Sequence, residues 1–169
     1  MFLRAECDYM TKLSAQQVAD YFNRSYKAVD GLWFMKVEEK YGFDAALELD
    51  DEVWKVMPKI QARLIKSFLG LENGSEALLE SLVTKLELEG FKFKAEKNEN
   101  GFRITITDCP WHNLMIKSGR ENLAKLVGTT ICNTEYQVWS SEIEKTIKFK
   151  LKSQKCDESE QCILDFVSQ

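Results

Sequence analysis

Four cysteines stand in the C-terminal half of this 169-residue chain. Cys109 and Cys132 bound the stretch "CPWHNLMIKSGRENLAKLVGTTIC", and Cys156 and Cys162 form a C-x5-C pair in "SQKCDESEQC". The only histidine, His112, follows Cys109 at C-x2-H spacing. Three chemistries can use such a set. Thiolates and an imidazole hold zinc in a tetrahedral site, a thiol beside a base acts as a nucleophile, and free cysteine packs as a small hydrophobe. C-x5-C is not the tight knuckle of a zinc finger and no C-x2-C is present, so spacing leaves all three open. Cys7, beside Glu6 and Asp8 and far from the others, reads as a packing or exposed thiol.

The elements that must position these thiols follow from periodicity. Ser14 is a candidate N-cap for "AQQVADYFNRSYKAVD", and "DGLWFMKVEEKY" follows as a second short helix closed by Gly42. From Asp44 to about Leu69, Ala46, Leu49, Val53, Met57, Ile60, Leu64 and Phe68 recur at steps of three and four, predicting one long amphipathic core helix. Pro58 predicts a kink near Val53 and Trp54 rather than a break. A further helix is expected from a cap at Ser75 to Gly90.

After Gly90 the period becomes two. Phe91, Phe93 and Ala95, then Phe102, Ile104 and Ile106 across the turn "KNENG", predict a hairpin, and Ile147, Phe149 and Leu151 with Leu164 and Phe166 predict another. Two helical segments joined at Gly128 lie between the hairpins. The expectation is an α+β single domain over residues 1–169. A helical part (1–90) precedes a β-β-α-α-β-β part (91–169) with a four-stranded, mainly antiparallel sheet. If strands two and three run the same way, Cys109, Cys156 and Cys162 share one edge of the sheet, with Cys132 brought near by the crossover. Zinc is the expected occupant of such a thiolate cluster, with an iron-sulfur cluster as the alternative.

Composition bounds the partners. Lys and Arg number 23 against 27 Asp and Glu, a formal charge of −4, so a surplus of cations to neutralise nucleic-acid phosphates is lacking. A membrane span needs about 18 or more uninterrupted apolar residues, and no segment approaches that, which predicts a cytoplasmic protein. The acidic run "ELDDE" (48–52) reads as the solvated face of its helix. Trp111, Tyr136 and Trp139 are the aromatic residues expected beside a small-molecule site.

The block "GLWFMKVEEKYGFDAALELDDEVWKVMPKIQARLIK", the "CPW" turn, "GTTICNTEYQVWSSEI" and the terminal C-x5-C strand pair together resemble a microbial family of unknown function. That family is distantly similar to 2-amino-thiazoline-4-carboxylate hydrolase-like proteins. The C-terminal half is also similar to 4-vinyl reductase (V4R) domains, and this resemblance implies a pocket for small hydrocarbons or aromatics and a zinc ion on Cys132, Cys156 and Cys162. Ser153 replaces the family's carboxylate ligand, leaving Cys109, then His112 or Glu135, as the fourth. The expected function is a small-molecule-binding domain with a structural metal on Cys109, Cys132, Cys156 and Cys162. One alternative is a hydrolase of a cyclic amide or thiazoline, with Cys109 or metal-bound water as nucleophile and His112 as base. Another is a helical interaction scaffold. A homodimer is expected because the N-terminal helices carry more apolar surface than one layer over a four-stranded sheet buries.

Overall fold

The computed structural model describes residues 12–168, so Cys7 lies outside the described residues. Helix α1 (Ala15–Tyr41) starts at the expected cap: Ser14 Oγ accepts from the Gln17 amide (3.2 Å), and Gln17 Oε1 accepts from the Ser14 amide (2.8 Å). This reciprocal box satisfies two donors that the first turn would otherwise strand. The helix then runs unbroken through Gly31 to Gly42, where two short helices were expected. A single interior glycine costs only about 1 kcal/mol relative to alanine, too little to divide 27 residues.

The expected long helix is two helices, α2 (Phe43–Trp54) and α3 (Met57–Leu69), separated at Lys55 and Val56. Pro58 sits in the first turn of α3. There its missing N–H costs nothing, whereas a continuous helix would drive its ring into the carbonyl of Trp54. A break therefore replaces the kink. The buried face also differs from the one expected. Ala46, Asp50, Trp54, Pro58, Ala62 and Ile65 point inward, while the periodic stripe of Leu49, Val53, Ile60, Leu64 and Phe68 is exposed, Ile60 by 55% and Phe68 by 75%.

Helix α4 (Ser75–Glu89) begins after Gly74, with no side-chain cap from Ser75, and ends at left-handed Gly90. Strands β1 (Lys92–Asn98), β2 (Gly101–Asp108), β3 (Ile147–Ser153) and β4 (Cys162–Ser168) form one antiparallel sheet in the order β1-β2-β4-β3. This is the α+β architecture expected. Because β4 is antiparallel to both neighbours, β2 and β3 run the same way. Helices α5 (Pro110–Lys117) and α6 (Glu121–Ile143) make the crossover. The division falls at residues 118–120 rather than at Gly128, which is helical.

The core lies on one face of the sheet. Phe102, Ile104, Ile106, Leu164 and Phe166 pack against Leu78, Leu82 and Leu86 of α4 and Tyr136, Trp139 and Ile143 of α6. Phe102 stacks on Phe166 at 4.7 Å. The opposite face carries the lysines of β3 and the cross-strand Arg103–Asp165 pair (2.6 Å).

Candidate functional site

Beyond the C-terminal end of β2 the layers diverge, and a cavity of about 290 Å³ opens between α1, α2, α5, α6 and the edge of the sheet. Cys109 begins α5 as its N-cap, its sulfur accepting the His112 backbone N–H at 3.5 Å, so "CPW" starts a helix. Cys162 opens β4 opposite Ile106, and Cys156 lies on the short turn (Lys155–Asp157) between β3 and β4. Cys132 comes in from α6. All four thiols and His112 line this cavity; the parallel sense of β2 and β3 brings Cys109, Cys156 and Cys162 to one end of the sheet, and α6 carries Cys132 there.

Among the described residues no group of three or more His, Cys, Asp or Glu gathers as a metal-ligating set, although four sulfurs are the donor chemistry zinc prefers. Burial pushes Cys109 up to about 12 and Cys156 to about 11, and raises Cys132 and Cys162 as well. Without a bound cation these thiols are protonated at physiological pH. Glu135, a candidate fourth ligand, is instead turned to Lys85 Nζ at 2.8 Å, and Ser153 donates to the Gln161 carbonyl at 2.9 Å.

Among the described residues no imidazole hydrogen-bonds a cysteine sulfur. Cys109 meets His112 through the backbone N–H, and His112 Nδ1 is buried without a hydrogen-bond partner.

The aromatic wall is well defined. Trp111 stands edge-on to Tyr26 (5.7 Å) and to Trp54 (5.9 Å), and its indole N–H donates to Glu89 Oε2 at 3.3 Å. Glu89 is fixed in turn by Lys85 Nζ at 3.0 Å. Lys85 is almost wholly buried; desolvation opposes its charge, but the carboxylates of Glu135 and Glu89 outweigh that and hold it protonated. This ion triad ties α4, α6 and, through Trp111, α5 together behind the cavity. Trp111 and Tyr136 line the space, whereas Trp139 is fully buried in the core, its N–H donating to Ser81 Oγ at 3.0 Å.

A model for a family of unknown function, DUF6125, matches residues 10–167. The chain belongs to the DUF6125 family. Neither curated proteins nor solved structures give a match.

In this DUF6125 chain two cavity residues were hidden from sequence reasoning. Asp50, from the run read as a solvated face, is only 7% exposed and faces the cavity together with Asp30 of α1. Burial pushes Asp30 up to about 6; burial, then the charge of Asp30, pushes Asp50 up to about 7. The indole of Trp54 lies near both carboxyls and offsets part of each rise. The available signal was the 46-50-54 spacing, which puts Asp50 on the same helical face as Ala46 and Trp54.

Gly128 has a role that its reading as a joint overlooked. A Cβ there would stand 2.9 Å from Cys156 Sγ, so the glycine lets α6 approach the β3–β4 turn closely. Gln154 closes the same contact, its Oε1 accepting from Thr129 (2.8 Å) and its Nε2 donating to the Gly128 carbonyl (3.1 Å).

Proposed function

We propose that the chain is a small-molecule-binding domain whose ligand, an apolar or aromatic molecule, occupies the cavity above the end of β2. The observation that carries this reading is the cavity itself. It holds about 290 Å³ in a lining that is overwhelmingly apolar, with Trp54, Trp111, Ile131 and Leu164 as walls and a few fixed polar groups. Sites of this composition bind by desolvating apolar surface and use the few polar groups for orientation. Hydrolysis draws less support, because a neutral buried Cys109 without an imidazole partner is a poor nucleophile.

The test is a thermal-shift panel of neutral aromatics with product analysis of each hit. Ligands should raise the melting temperature by mass action and be recovered unchanged. Consumption of a hit that depends on Cys109 or His112 would replace this reading with the hydrolase.

We also propose that the exposed stripe of α2 and α3, together with Val29, Leu32 and Trp33 of α1, pairs with a second copy of the chain. An apolar face repeated along several helices is costly to leave in water. Among the described residues no helix is long and apolar enough to cross a membrane.

A further inference from the structure

If the cavity is a ligand site, its charges restrict what enters. Of the basic groups on its wall, the His112 ring stands with its Nδ1 unpartnered, while Lys27 Nζ donates to the Glu89 carbonyl at 2.9 Å and Arg120 Nη2 to Glu38 Oε2 at 2.6 Å. Asp30 and Asp50 are not so matched. Asp50 is more than nine-tenths buried and lines the cavity, and no cation lies among the groups acting on either carboxyl. A buried carboxyl pair without a counter-charge is costly to the fold, and a ligand that supplies the charge recovers that cost.

An inorganic cation is a poor candidate for the role. Calcium or magnesium asks for six or more oxygen ligands, which two carboxyls in an apolar wall do not provide, and no metal-ligating group of three is present among the described residues. An organic ammonium asks for less. It needs one or two carboxylates, accepts the faces of indole rings as further partners, and brings an apolar body that the rest of the cavity suits. Trp54 stands beside the acids, and Trp111 lies edge-on to it at 5.9 Å.

We propose that the cavity selects amphipathic organic cations, an aromatic or aliphatic body carrying a protonated amine, with the ammonium on Asp30 and Asp50 and the body against Trp54 and Trp111. This assignment rests on the ligand-site reading above and narrows it to a chemical class.

Calorimetric titration with 2-phenylethylamine and with 2-phenylethanol, its uncharged counterpart of nearly the same shape, tests the assignment near neutral pH. The expected result is that both bind and the amine binds about tenfold tighter or better, a factor typical of one desolvated charge pair. In Asp50→Asn the ratio of the two affinities should fall to about one. Asp30→Asn repeats the comparison and decides the matter should Asp50→Asn fail to fold. If the alcohol binds and the amine binds no better, or if the amine preference survives both substitutions, the cation assignment is wrong while the ligand site stands. If neither compound binds, both are wrong.

Discussion

Asp50→Asn should stabilise the ligand-free protein, and the gain should depend on pH in one direction only. In the unfolded chain this carboxyl titrates near 3.8, and in the folded protein it is raised to about 7 by burial and the facing Asp30. A raised carboxyl pKa means that the folded state holds its proton longer than the unfolded state. Stability therefore falls as pH climbs from about 4 to about 7 and is flat beyond, and the amide escapes this loss. The difference of about three decades is worth roughly 4 kcal/mol at about 1.4 kcal/mol per decade. Solvent reaching the acid through the cavity screens part of it, leaving about 2 kcal/mol. For a domain of this size that is a rise of roughly 4–8 °C in melting temperature near pH 8, shrinking to about zero near pH 4. Thermal unfolding of both proteins across that range, followed by circular dichroism, is the assay. A variant that is less stable than the parent at high pH, or a difference that does not change with pH, would refute the reasoning.

Other residues give sharper structural tests. A Cβ at Gly101, where φ is +146°, would lie 2.0 Å from the Phe166 carbonyl oxygen, so Gly101→Ala should cost about 3 kcal/mol or more in chemical denaturation by forcing β2 from β4. Gly128→Ala should lose about 1 kcal/mol despite alanine's higher helix propensity, and adding Cys156→Ala should recover it, because the clash is with that side chain. Glu135→Gln should destabilise by about 3 kcal/mol in the same assay, since buried Lys85 would lose one of its two carboxylates. Cys109, Cys132, Cys156 and Cys162 should react slowly with a thiol reagent in the folded protein and fully on unfolding, because desolvation keeps all four in the unreactive thiol form. Zinc released in step with their modification would show that the four hold a metal. Light scattering should give about twice 19.6 kDa, and charged substitutions at Ile60 and Phe68 should return the monomer.

The sheet was legible because its strands alternate strictly. Phe102, Ile104 and Ile106 share one buried face, and that period of two leaves no other assignment. The gathering of Cys109, Cys156 and Cys162 at one end of the sheet was legible too, as a consequence of strand direction, with Cys132 brought there by the crossover helix. The helical half was read less well, for a physical reason. Periodicity reports that a face is apolar but not what covers it, so the stripe from Leu49 to Phe68 was assigned to the core although it faces outward. The same assumption sent Asp50 to the solvent side. Its buried position depends on Trp54 and on Asp30 of another helix, a tertiary arrangement that spacing within one segment does not encode. Gly128 misled in the same way, since a glycine in a helix can mark a close approach as well as an end.

The central claim, that the cavity is a ligand site, is tested most directly by its own fluorophores. Trp54 and Trp111 stand in its wall, so titration with 2-phenylethanol should change tryptophan emission saturably, with a dissociation constant of roughly millimolar or tighter. Ala124, buried on α6 and lining the same space, offers the control: Ala124→Phe should fill the cavity, keep a cooperative melt and abolish the change. An emission change that is linear in ligand, or one that is equal in the filled variant, would contradict the account.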